Sequence, residues 1–428
     1  MLLTCFFLVM AFMLVAGFPI YLAMIGASLF YASFHPDLSL LIAVQKIVNG
    51  PNSFTLLAVP FFIFAGQVMN SGGVTERIFG FANSLIGHCR GGLGYVNVFA
   101  SLLFAGMSGS AIADAGGLGM IEIKAMRDAG YDDDFSIGVT ASSSIIGPII
   151  PPSIPMVVYG AVSGVSIGGL FVGGVVPGLL MALTLGVMVF LVSRRRRYVV
   201  LPRQSRREKA AAFRRAFLSL LTPVIIIGGI WLGYFTPTEA AFVSIFYALV
   251  VAVFIYREQK ISALPGLALE TLRTVGPAIM IVAAANAFGW IMNFEKVDVY
   301  LMKLLFGFTT NKYLILLLIN VLLLLMGMFL EVVAAIMIML PLAAPVVAML
   351  GIHPIHFGVI VVLNLMIGLL TPPVGFVLYI LASVAQKPVD QVIRICLPWT
   401  APLLAVLGLV TYIPELVMFL PRLLGFAN

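Results

Sequence analysis

The sequence predicts an all-α polytopic membrane protein of two internal repeats, with re-entrant hairpins and broken helices in its apolar interior. Three observations predict it. Of 428 residues, 62% are hydrophobic and 10% are charged, where a soluble domain carries roughly 25% charge. The apolar residues run continuously over lengths of about 20 residues, the span of a bilayer, without the alternation of a transmembrane β-barrel. Finally, one helix-breaking pattern occurs twice: Gly147 with Pro151-Pro152, and Gly368 with Pro372-Pro373, 221 residues later.

The first half covers 1–193. An apolar stretch at 2–33, bent at Gly17-Phe18-Pro19, crosses once or twice. With no basic segment or small-residue cleavage pattern, it reads as a first span and not as a removed signal peptide. A span at 54–70 follows, then a more polar stretch, 71–92, that reads as a helix along the membrane surface. Residues 93–130 read as a hairpin: apolar 93–107, the small-residue tip Gly106 to Gly119, and a helix with Glu122, Lys124 and Arg127. Apolar pieces at 135–146 and 153–165 flank the break 147–152, and a span at 170–192 ends the half.

The second half, 216–428, follows the same order. Spans at 217–234, 238–256 and 270–293 precede a surface-like piece near Glu295 to Lys303. A hairpin at 312–350 turns near Gly327 to Glu331, pieces at 355–367 and 374–386 flank the break 368–373, and 395–424 closes the chain. Local matches support a duplication. Ser28-Leu29-Phe30-Tyr31-Ala32 recurs as Ser244-Ile245-Phe246-Tyr247-Ala248, Gly66-Gln67-Val68-Met69-Asn70 as Gly289-Trp290-Ile291-Met292-Asn293, and Gly106-Met107 as Gly327-Met328. Repeated halves with matched breaks point to the binding site of a secondary transporter.

The breaks carry the chemistry. Proline has no N–H, so Pro151 and Pro152 should leave the carbonyls of Gly147 and Pro148 bare, and Pro372 and Pro373 those of Gly368 and Leu369. Bare carbonyls persist at membrane depth only inside protein or around a cavity, where they suit a dehydrated hard cation. Ser153, and Thr371 ahead of Pro372-Pro373, then restart helices whose first N–H groups can meet an anion. Asp114 and Glu331 are acids at apparent membrane depth, where a charge costs about 2.5–3.5 kcal/mol on insertion scales. Asp114 either serves the site or caps the following helix. Glu331, between Leu330 and Val332, reads as part of an ion or proton site. The hydroxyls of Ser142, Ser143 and Ser144 either bond back to their own helix or face a polar substrate, and Ser110 and Ser153 are further candidate contacts. Glu239, in Thr236-Pro237-Thr238-Glu239, reads as a capping box.

Other functions lose their support. Between Arg194 and Arg215 lie ten of the 24 Lys and Arg residues, with Glu208 the only acid, so this segment nets +9 and the rest of the chain −2. That reads as a cytoplasmic loop touching anionic lipid, not a nucleic-acid surface. Cys5, Cys89 and Cys396 form no CxxC, and Pro354 interrupts the His353/His356 pair, so no disulfide framework or transition-metal site is expected. No GxxxxGK[ST] loop is present for ATP hydrolysis, and no nucleophile–base constellation for an enzyme.

The ordered set Pro60-Phe61-Phe62 with Gly66, SGSAIADAGGLG at 108–119, Ile123-Lys124-Ala125-Met126, Gly147 to Ser153, Phe235 to Ala241, and Gly368 to Gly375 resembles the large membrane subunit of tripartite ATP-independent periplasmic (TRAP) transporters. The resemblance spans nearly the whole chain. It implies an elevator fold with inverted repeats in the bacterial inner membrane, sodium as coupling ion and no other cofactor. It further implies a small four-helix membrane subunit, a periplasmic substrate-binding protein, and import of an organic acid: a dicarboxylate, sialic acid, sugar acid or keto acid. Carried over, one sodium site uses Ser108 with the carbonyls of Gly147, Ile150 and Pro152, and the second uses Gly327, Thr371 and Val374, with Asp114 and Glu331 supporting the two hairpins. The rival is a standalone ion- or proton-coupled organic anion exchanger working through the two acids. A channel would need a continuous polar path, and polar residues gather only around the breaks.

If the basic segment is cytoplasmic, S205C in a background without native cysteines should resist an impermeant thiol reagent in cells with a permeabilised outer membrane. It should react once the inner membrane is opened.

Overall fold

The computed structural model describes every residue except Arg197, Val199, Leu201 and Asn428. Helices and turns make up the described residues, with no strand among them. Eight helical stretches are long and apolar enough to cross a bilayer. The stretch 2–33 is two helices, Leu2–Val15 and Ile20–Phe34, folded antiparallel so that Phe6 packs on Tyr31 with ring centroids 5.9 Å apart. Each is about 21–23 Å long, shorter than a hydrocarbon core of about 30 Å. The turn between them uses Gly17, at φ +85°, and Pro19, whose missing N–H costs nothing ahead of a helix.

The basic stretch is less of a loop than its composition suggests. Arg194 and Arg195 sit in the last turn of Ile167–Arg195, where cations complement the helix dipole. Ser205 and Glu208 form a capping box that opens Arg206–Trp231, so residues 206–215 are already helical. Arg197, counted in the basic segment, lies outside the described residues. The Thr236/Glu239 capping box opens Pro237–Leu249 as expected.

Two hairpins and two broken helices occupy the centre. The first hairpin pairs Gly92–Ser108 with Gly119–Asp128. Its first arm stops at Gly109, at φ +57°, where a side chain would be strained and its Cβ would lie 2.5 Å from the Pro152 carbonyl oxygen. A short turn and the π-turn Asp114–Leu118 complete the tip. The second hairpin pairs Lys312–Phe329 with Val332–Met349. The broken helices are Asp133–Ser144 with Ile154–Ser163, and Pro354–Gly368 with Phe376–Ala385. The half-helices leading into the breaks are buried throughout Phe135–Ser144 and Ile355–Gly368. Burial all round is what allows interrupted backbone at this depth.

The second break packs backbone on backbone. A Cβ at Gly368 would lie 2.6–2.9 Å from the backbone of Gly327. G368A should therefore cost about 1–3 kcal/mol, as overpacking does, and lower the thermal midpoint in detergent. G80A, on a helix surface with nothing within 4 Å of the new methyl, should leave the midpoint unchanged or raise it.

Candidate functional site

At the first break the chain leaves helical geometry after Ser144 and regains it at Ile154. Among the described residues no backbone hydrogen bond reaches the carbonyl oxygens of Gly147, Ile150 or Pro152. Pro148, expected to be equally bare, differs: its carbonyl accepts the Ser153 hydroxyl. Ser153 also caps the next half-helix, accepting the Met156 N–H at 3.3 Å, and is fully buried. One small side chain thus removes a carbonyl from the candidate set and starts the helix.

Asp114 comes to this break from the hairpin tip. It is 1% exposed, caps no helix, and accepts the Ser108 hydroxyl on Oδ1, while Oδ2 has no partner. Oδ2 points at Gly147, closely enough that a Cβ there would collide with it. Both breaks in regularity, the glycine-rich tip and the Pro-Pro turn, therefore converge on one spot. It brings the Ser108 hydroxyl and the Asp114 carboxylate to Gly147, hard oxygen donors of the kind a small hard cation takes.

The second break is partly closed. The carbonyls of Gly368 and Leu369, expected to be bare, accept the N–H groups of Thr371 at 2.9 Å and Val377 at 3.3 Å. Thr371 does not restart a helix either; its hydroxyl donates to the Ile367 carbonyl at 2.9 Å, and Gly375, at φ +54°, precedes Phe376–Ala385. Among the described residues the carbonyls of Thr371 and Val374 accept no backbone hydrogen bond, and Gly327 lies against Gly368. Glu331, expected to be part of an ion or proton site, caps Val332–Met349, its Oε2 accepting the N–H groups of Val333 at 2.9 Å and Ala334 at 3.3 Å. The apolar neighbours that made it look idle hid the nearest donors, the backbone of its own helix.

The serines separate. Ser144 bonds back to Ala141 at 2.8 Å, and Ser143 donates to Asn97 Oδ1 at 2.6 Å. Both are buried in packing. Ser110, half-buried, caps the turn at the hairpin tip. Of the serine candidates only Ser110 keeps access to a solute.

Ser143 leads to a network that sequence reasoning missed. Asn97 Nδ2 donates to Glu122 Oε2 and to Thr140 Oγ1, both at 2.7 Å, joining both hairpin arms to the broken helix. Glu122 is 1% exposed and its Oε1 has no partner. The signal was available: Glu122 stands between Ile121 and Ile123 just as Glu331 stands between Leu330 and Val332. In the second half Asn364 donates to the Asn320 side chain at 2.7 Å, and Asn320 donates to Thr411 at 3.3 Å, with no acid involved.

Helical hairpins meeting broken helices inside a bundle of apolar helices mark an integral membrane protein. Known proteins specify the class further. The family model described as "Tripartite ATP-independent periplasmic transporter, DctM component" matches residues 4–416, and the chain belongs to that family as a large permease protein. The chain is 48% identical to the sialic acid TRAP transporter large permease protein of Vibrio cholerae, over 97% of this chain and 98% of that one. It is 41% identical to the C4-dicarboxylate large permease protein of Pseudomonas aeruginosa, covering 92% of each. A sialic acid TRAP permease of Haemophilus influenzae is 42% identical over 95% of this chain but only 66% of its own, longer length. The fold is also that of the YdaH transporter of Alcanivorax borkumensis, at TM-score 0.64 and 15% identity over 91% of this chain and 95% of that one.

The network sets a stability prediction. E122L would strand a buried Asn97 N–H and should cost about 1–3 kcal/mol, while E122Q keeps an acceptor oxygen and should lose much less. Thermal unfolding of the two purified variants separates them.

Proposed function

We propose that this chain is the sodium-coupled large permease subunit of an organic-acid importer in a bacterial inner membrane. It would receive its substrate from a periplasmic binding protein and work beside a small four-helix membrane subunit. The observation that carries the sodium reading is the first break: the unbonded carbonyls of Gly147, Ile150 and Pro152 beside Ser108 and the free oxygen of Asp114. The second site, at Gly327, Thr371 and Val374, rests on two free carbonyls and the Gly327–Gly368 contact. The 48% identity to a sialic acid permease favours sialic acid or a related sugar acid. The Haemophilus influenzae relative, of whose length this chain covers 66%, leaves room for a further component beside a chain of this kind.

A difference between the halves supports two inverted repeats and an elevator stroke. Gly66 lies against the tip of the first hairpin, where a Cβ would sit 3.4 Å from the Met107 carbonyl oxygen. Its counterpart Gly289 lies against Pro341, ten residues past Glu331 and so roughly 15 Å from the tip of the second hairpin. Hairpins displaced along matching helices by unequal amounts are what a domain moved toward one face produces. The capping of Glu331 weighs against a standalone proton exchanger using both acids.

Proteoliposomes holding both membrane subunits test this with loaded binding protein and an imposed sodium gradient. D114N should raise the sodium concentration for half-maximal uptake by tenfold or more, the effect of losing about 1.5–3 kcal/mol of charged interaction. E331Q, which keeps an oxygen for the Val333 N–H, should stay within a few-fold of wild type. Wild-type uptake that ignores sodium, or proceeds without the binding protein, would overturn the reading.

A further inference from the structure

A cavity of about 560 Å³ lies between the helix Leu264–Phe294 and the second arm of the second hairpin. That helix is buried at Ile281–Ala285, Ala287–Gly289 and Ile291–Met292. The interruptions come at Asn286, Trp290 and Asn293, spaced i, i+4 and i+7, and all three line the cavity. They form one accessible stripe, two amides and an indole, on a stretch of helix otherwise buried from Ile281 to Met292.

The first half shows what such a stripe becomes when closed. Gln67 and Asn70, the counterparts of Trp290 and Asn293, accept the hydroxyls of Thr271 at 2.5 Å and Thr75 at 2.6 Å. Gly117 of the first hairpin covers Asn70, where a Cβ would lie 2.9 Å from its amide nitrogen. In the second half the equivalent positions open onto the cavity, which Gly289 and Pro341 also line.

Lys46, from the helix Leu40–Asn49, is the only charged residue lining the cavity, and it enters none of the ion pairs among the described residues. Ser163 lies on the same wall, four residues before Ile167. Ile167 begins the 29-residue helix that ends in Arg194-Arg195, about 43 Å away. With the basic end cytoplasmic, the cavity opens to the periplasm.

We propose that this cavity is the periplasmic capture site for an organic acid with one carboxylate and several hydroxyls, held through its carboxylate by Lys46. The inference rests on the importer reading and specifies its substrate class. One ammonium neutralises one carboxylate; a second carboxylate would enter the cavity unpaired, at the cost of its hydration. The amides of Asn286 and Asn293 donate and accept, as a polyol requires, and the Trp290 ring offers an apolar face to sugar C–H groups. The volume lies within the roughly 300–1,000 Å³ usual for small-molecule sites. Bound there, the acid lies against the hairpin arm at Met337, Leu340 and Pro341.

The test uses both membrane subunits in proteoliposomes, with binding protein loaded with sialic acid or 2,3-diketogulonate as monocarboxylate probes. K46Q should raise KM at least tenfold with kcat and the sodium half-saturation unchanged, and K46R should stay within about threefold of wild type. Separately, N286C should react with an impermeant maleimide from the periplasmic side, and excess sialic acid should slow that reaction while succinate should not. K46Q with a wild-type KM, or equal protection by succinate, overturns the capture site. Absent sodium-driven uptake by wild type overturns the importer reading instead, and N286C protection is measured without any uptake.

Discussion

The structure depends on one constraint: a backbone carbonyl without an N–H partner cannot face hydrocarbon. Pro151 and Pro152 remove two donors at the centre of the bundle, and everything nearby deals with the consequence. The half-helices are buried along their length, Ser153 takes the Pro148 carbonyl, and a hairpin tip rich in small residues comes close enough to place Asp114 against Gly147. A side chain at Gly147 would have to displace the Asp114 carboxylate oxygen that lies there. The shell that keeps lipid away from the break also brings a carboxylate oxygen to it.

The halves solve that problem differently. In the first, three carbonyls accept no backbone hydrogen bond, and an acid with an open oxygen lies against Gly147. In the second, Gly368 and Leu369 recover N–H partners, and the acid at the hairpin turn is engaged by its own helix. The polar links behind the hairpins differ likewise, with a carboxyl, Glu122, in the first and amides and a hydroxyl in the second. Matching sequence patterns therefore do not guarantee matching electrostatics. A proline pair dictates where carbonyls lose donors, but the path of the next three residues decides whether other donors reach them.

Much of the architecture was legible in the sequence because membrane burial leaves few options. Continuous apolar runs must be helices, and matched breaks must be internal. The hairpins at 93–130 and 312–350 appear as Gly92–Asp128 and Lys312–Met349. Local rules that act over three or four residues also transferred well: Ser153 caps a helix, and Thr236 with Glu239 makes a capping box. Neighbours in sequence did not reveal partners in space. Glu331 has apolar neighbours and two backbone donors, and Glu122 has apolar neighbours and an amide 25 residues away.

The sequence by itself determined the class of protein, the number and order of breaks, and which residues could be oxygen donors, because composition and proline placement act locally. Only the tertiary structure decided which donors remain free. The approach of Asp114 to Gly147, the recovery of Gly368 by Thr371 and the opening of Trp290 and Asn293 onto a cavity all depend on distances between segments far apart in the chain. A hydrogen bond is made or lost within less than an ångström, and no pattern along one strand of sequence carries that information.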